Sequence, residues 1–199
     1  MEFFVWCRDR PGTADLRRGL TETHWAYMDR FADCMIARGP ALGADGAPIG
    51  SMHILDLPDP AAARDFVFED PYAKAGLFGD VLIRRWANAL GRTMWDWPAD
   101  PGADRRFLVI GTGHPGMTAR RSALLAAHQA WLTDPARAAG IILRGPLLSD
   151  DGAEWVGSAM LLQQPDAAAA RAVFAGEPYH EGGLYERLEI LPWRFGGRH

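Results

Sequence analysis

The sequence predicts an α+β fold made twice over: tandem ferredoxin-like βαββαβ modules packed sheet to sheet, a dimeric α+β barrel within one chain. Three observations predict it. The chain repeats itself in order, its strands are apolar at successive positions, and turn and helix-stop residues recur at matching places.

The repeat is the primary signal. Phe3-Phe4-Val5 matches Phe107-Leu108-Val109 at an offset of 104 residues, and Pro11-Gly12, Arg17, Leu20 and His24 match Pro115-Gly116, Arg121, Leu124 and His128 at that same offset. The offset is 106 where Gly39-Pro40 matches Gly145-Pro146. It is 107 where Gly50-Ser51, Pro58-Asp59, Pro71-Tyr72, Gly76-Leu77 and Trp86 match Gly157-Ser158, Pro165-Asp166, Pro178-Tyr179, Gly183-Leu184 and Trp193. The added residues fall near Asp134-Pro135 and in the Asp151-Gly152 turn, where loops tolerate insertion. Residues 97–104 are rich in Pro, Gly and Asp and read as a connector. The modules are then residues 1–96 and 105–199.

Each module reads β-α-β-β-α-β. Residues 3–8 are short, apolar and aromatic, as a strand should be. A helical period runs over residues 13–38, placing Leu20, His24, Tyr27, Met28, Phe31 and Met35 on one face, with Gly39 expected to end the helix. Asp45-Gly46 signals a hairpin between two further strands. Asp59 reads as an N-cap with Pro60 at the first helical position. That helix is expected to reach Glu69, where Asp70-Pro71 stops it. Residues 78–86 form the last strand. The segments FFVWC, MHILDL, FLVIG and SAMLLQQ are apolar almost throughout rather than at alternate positions. A sheet with one wet face alternates. These strands therefore need cover on both faces: helices on one, the other module's sheet on the other.

Composition narrows the function. Hydrophobic residues make up 48% and charged residues 23%, with a formal net charge of −4. Nothing here is basic enough for a nucleic-acid footprint. No apolar run approaches a membrane span, and the N-terminus lacks a signal-peptide pattern. Cys7 and Cys34 have no counterparts in the second module, so a disulfide framework is not indicated and a cytoplasmic location is expected. Among 21 basic residues Lys74 is the single lysine, so any Schiff base would rest on it. Clustered metal ligands, a Gly-rich phosphate loop and a nucleophile elbow are all missing. His53 lies in an expected strand, but its counterpart is Met160, so no ligand set repeats.

His24 carries the chemical signal. A histidine suits proton transfer because its ordinary pKa of about 6.5 lies near working pH. The residue recurs as His128, and Arg17 shares its helix face two turns away, which is awkward in a plain core. The ordinary alternative is a satisfied core histidine. Asp-Pro is likewise a common helix stop, and Tyr72 and Tyr179 read most simply as core aromatics with a polar tip.

The order of these elements resembles the YCII-related family: an N-terminal strand, a helix with Arg and then His seven positions on, Gly-Pro, Gly-Ser opening a strand, and Asp-Pro-Tyr before Ala-Gly-Leu. The resemblance covers nearly all of both modules. It implies a small cleft with a histidine–carboxylate pair, His24 with Asp70, and Arg17, Ser51 and Tyr72 nearby. In the second module it implies His128, Arg121, Ser158 and Tyr179, with Glu177 where the family has aspartate. Single-module members pair as homodimers; here the fusion would replace that dimer, leaving a monomeric pseudo-dimer or a homodimer of it. A few related proteins catalyse eliminations without metal or organic cofactor.

The expected activity is therefore a cofactor-free lyase or isomerase using a His–Asp pair on a small oxygenated substrate. Two alternatives stay open: a small-molecule binding module without catalysis, and a cofactor-independent oxygenase of the related barrel type.

Overall fold

The computed structural model describes residues 1–98, 100 and 102–197. Positions 99 and 101 of the expected connector, and the last two positions of the second module, lie outside the described residues.

The first module is β1 (Glu2–Asp9), α1 (Ala14–Asp29), β2 (Met35–Leu42), β3 (Pro48–Asp56), α2 (Pro60–Phe68), α3 (Pro71–Lys74) and β4 (Phe78–Trp86). The second is β5 (Arg105–Gly113), α4 (Thr118–Thr133), α5 (Pro135–Ala138), β6 (Ile141–Leu148), β7 (Trp155–Gln164), α6 (Ala167–Ala172), α7 (Pro178–Glu181) and β8 (Tyr185–Trp193). Local chemistry sets several boundaries. The Asp59 carboxylate accepts from the Ala62 N–H at 2.8 Å and starts α2, and Asp166 does the same for α6 through Ala169. The residues added near Asp134-Pro135 form α5, capped by Asp134.

The strands form one closed antiparallel barrel in the order β1-β3-β2-β8-β5-β7-β6-β4. Within each module the order is that of a ferredoxin-like sheet. The two sheets also join at their edges, where Ala41 pairs with Trp193 and Trp86 with Leu147. Closure leaves no exposed strand edge between the modules.

Every apolar strand position finds cover. Phe4, Trp6, Met52 and Ile54 meet Leu108, Ile110 and Leu161 of the other module inside the barrel. Their neighbours Phe3, Val5 and Leu55 point outward, under the helices, with Tyr27, Met28 and Phe66. Each such side chain contributes about 1.5–3 kcal/mol when buried. The two-faced burial expected from FFVWC and MHILDL follows from this alternation.

One expectation is corrected. The first helix ends at Asp29, not near Arg38, and Met35–Leu42 is a strand. The apolar spacing of Phe31 and Met35 continues a helical period by coincidence. Met35, Ile36 and Ala37 are all buried, Met35 beneath the helices and the other two inside the barrel. Three consecutive buried residues suit a strand covered on both sides, and pairing with β3 and β8 outweighs helix periodicity. Gly39 therefore lies mid-strand rather than at a helix end.

Candidate functional site

Three elements converge on the outer face of the first module's sheet. Helix α1 presents Arg17, Thr21 and His24 on one side, at helical spacing. Strand β3 presents Ser51 and His53, two residues apart and so on one face. The turn before α3 delivers Asp70. Its carboxylate accepts from the Tyr72 N–H at 2.9 Å as the N-cap of α3, which fixes it in place. His24 Nδ1 lies 3.0 Å from each Asp70 oxygen, and both side chains are buried. A carboxylate offers only acceptors, so the ring proton sits on Nδ1 and Nε2 carries the lone pair.

Tyr72 backs the imidazole, stacked at 4.1 Å between ring centres and tilted by 16°. Its hydroxyl donates to Thr21 Oγ1 at 3.2 Å. Arg17 is held by Asp9 through paired bonds of 2.6 and 2.7 Å, and its Nη2 also donates to Ser51 Oγ at 2.9 Å. The Ser51 hydroxyl proton is thus left to point elsewhere. The cavity beside these groups has a volume of about 440 Å³. That is within the range of small-molecule sites. Its far wall is Arg194–Gly197, contributed by the second module after β8.

His53 forms part of the same wall, its ring centre 5.9 Å from that of His24. Burial first, and then the positive charges of Arg38 and Arg17, hold its pKa well below the usual histidine range. It is a neutral imidazole at working pH. Cys7 and Cys34 are free, and burial pushes the Cys7 thiol up, so Cys7 is no thiolate nucleophile.

The second module repeats the arrangement with one more methylene. Glu177 Oε1 lies 2.6 Å from His128 Nδ1 and accepts from the Tyr179 N–H at 3.0 Å, while Oε2 accepts from the His180 N–H at 2.7 Å. Tyr179 stacks on His128 at 3.8 Å, tilted by 7°. Ser158 Oγ, however, accepts from the Tyr185 hydroxyl at 3.0 Å rather than from an arginine. Here the cavity is about 160 Å³.

The model of the YCII-related domain matches residues 1–87 and again residues 106–194. The chain belongs to the YCII-related family. An uncharacterized protein of Haemophilus influenzae is 26% identical over 92 residues, which cover 42% of this chain and 94% of its own. The 5-chloro-2-hydroxyhydroquinone dehydrochlorinase of Burkholderia phenoliruptrix AC1100, solved with 2,5-dihydroxybenzoquinone, is 31% identical; the match covers 46% of this chain and 99% of that one, with a TM-score of 0.44. A mutant chlorite dismutase from Candidatus Nitrospira defluvii matches 98% of this chain and 91% of its own at 10% identity and a TM-score of 0.63. That likeness is one of fold.

In this YCII-related chain, Arg17, His24, Ser51, Asp70 and Tyr72 come together around one cavity or directly behind it. Arg121, His128, Ser158, Glu177 and Tyr179 gather around the other. Tyr72 serves as the flat support of His24 more than as an open cavity wall. Two participants escaped the sequence reading. For Asp9, at the end of β1, nothing local announces its bond to Arg17. His53 was weighed only as a metal ligand. Its position two residues after Ser51, hence on the same strand face, was the signal available.

Proposed function

We propose that the first module is a cofactor-free proton-transfer catalyst of lyase or isomerase type, acting on a small oxygenated substrate. The observation that carries this reading is His24 Nδ1 bracketed by both Asp70 oxygens at 3.0 Å, with the ring in the wall of the cavity and, among the described residues, no hydrogen bond to Nε2. The carboxylate fixes the tautomer and the orientation of the ring, leaving the lone pair on Nε2. In the proposed step a proton on carbon next to a carbonyl passes to Nε2. The C–H electron pair forms the enolate, or expels a leaving group from the adjacent carbon with its own pair. The developing oxyanion meets the Ser51 hydroxyl or the Arg17 guanidinium. The neutral His53 ring is placed to accept or donate a hydrogen bond to a substrate hydroxyl.

Glu177 makes the corresponding contact to His128, so the same reading extends to the second module in outline. Its cavity is less than half as large, and its serine is committed to Tyr185. The first module is the better candidate for turnover.

The test is a screen of small hydroxylated and halogenated carbonyl compounds under air and under nitrogen. With any substrate found, His24→Ala is expected to lower kcat by about 10²- to 10⁴-fold with the fold intact. Asp70→Asn keeps an N-cap residue and is expected to lose activity as well. Turnover retained in His24→Ala removes the reading. Saturable binding without conversion favours a binding module, and dependence on O₂ favours an oxygenase.

A further inference from the structure

The two modules keep the same arginines but not the same acids. In the first, Arg17 is neutralised by Asp9, and Arg38 lies 3.7 Å from Asp29. The equivalent arginines are Arg121 on α4 and Arg144 on β6, and both line the second cavity. The equivalents of the acids are Gly113 at the end of β5 and Thr133 at the end of α4. Among the described residues no carboxylate lies within ion-pair distance of Arg121 or Arg144, and the buried Nε of Arg121 has no hydrogen-bond partner. The acid that remains, Glu177, spends its oxygens on His128 and two backbone N–H groups.

Where the first module has Asp9, the second has aromatic surface instead. A Cβ at Gly113 would collide with the Trp155 ring, and Trp155 stands where the first module has Pro48. The Arg121 guanidinium lies 5.9 Å from that ring. Likewise Gly111, in place of Cys7, leaves room for the ring of Tyr185, in place of Phe78. The second cavity thus has an indole and a phenol in its wall, and among the described residues its arginines lack the ion-paired acids that Arg17 and Arg38 have in the first module. Burial and the nearby positive charge of Arg92 weaken the hold of Arg144 on its proton. A partly buried cation without a counter-ion is costly, and an incoming anion relieves that cost.

We infer that the second cavity is a binding site for a small aromatic carboxylate, its charge met by Arg121 and Arg144 and its ring by Trp155 and Tyr185. At about 160 Å³ the site has room for one ring and its carboxylate. This site does not depend on the chemistry proposed for His24.

Benzoate is the probe, with benzamide as its uncharged isostere and inorganic phosphate as an anion without a ring. Calorimetric titration of the full chain is expected to show benzoate binding in preference to both. Arg121→Gln is expected to weaken it about tenfold or more, as loss of a charge-assisted bond does. Thr133→Asp, at an exposed position, returns the acid that the first module has beside its second arginine, and is expected to weaken binding without unfolding risk. His24→Ala is expected to leave it unchanged. The inference fails if benzamide or phosphate binds as well as benzoate, if neither Arg121→Gln nor Thr133→Asp weakens binding, or if His24→Ala abolishes it.

Discussion

Asp70 performs two tasks with one side chain: it caps α3 through the Tyr72 N–H and it holds the His24 ring. The helix-stop residue and the residue proposed for the site are thus the same, so its ordinary structural reading and the proposed functional one draw on the same geometry. His53 shows the opposite situation, a buried polar group whose Nδ1 has no partner. Its pKa in the folded state lies well below the unfolded value of about 6.5. Between those two values the unfolded chain binds the extra proton. Stability contributed at this residue is therefore complete above about pH 6.5 and is lost as pH falls below it. His53→Met, which installs the residue found at Met160, is expected to make the acid-side loss shallower by up to about 1.4 kcal/mol per pH unit. Urea midpoints from about pH 7 to about pH 5 measure this; parallel slopes in the two proteins would contradict it.

At the scale of elements, the glycines separate local from tertiary causes. Gly39 lies where the chain leaving β8 crosses β2. A Cβ there would strike the Arg194 carbonyl and the Trp193 ring, and one at Gly145 would strike the Ala87 carbonyl and the Trp86 ring. Around the same crossings the Gly196 N–H donates to Arg38 O at 2.9 Å, and the Ala89 N–H donates to Arg144 O at 3.1 Å. The repeated Gly-Pro pair therefore marks the two seams of the barrel. Gly39→Ala or Gly145→Ala is expected to cost about 1–3 kcal/mol or more, as overpacking against backbone does. Gly19 is the contrast: it is exposed within α1, and nothing lies within 4 Å of an added Cβ. Gly19→Ala is expected to stabilise by roughly 0.5–1 kcal/mol. Thermal denaturation of the three variants checks both signs at once. The helix expected to run to Arg38 illustrates the same lesson. Its apolar period was real up to Met28, but beyond it the pairing of β2 with β3 and β8 decided the conformation.

At the scale of the molecule, each module's sheet offers a face that only the other can cover. A fragment of residues 1–96 would expose Phe4, Trp6, Met52 and Ile54. It is expected to sediment as a dimer, or to aggregate, rather than as a folded monomer, since an exposed apolar face of that size needs a partner. Analytical ultracentrifugation decides; a stable monomeric fragment would contradict the account of the core.

The sequence by itself determined the duplication, the order of elements and the strands buried on both faces; the pairing of His24 with Asp70 was implied only by the family resemblance. Those features are written in neighbouring residues: unbroken apolar runs, N-caps, Asp-Pro stops, and a repeat with small, loop-sized offsets. The tertiary structure alone decided that Met35–Leu42 is a strand, that Gly39 and Gly145 are seam residues, that Asp9 neutralises Arg17, and that His53 joins the first cavity. It also decided that, among the described residues, the equivalent arginines of the second module have no acid within ion-pair distance. The reason is physical. Hydrogen bonds and caps act over a few residues and leave a local trace, whereas ion pairs and steric contacts join positions that only the closed barrel brings within reach.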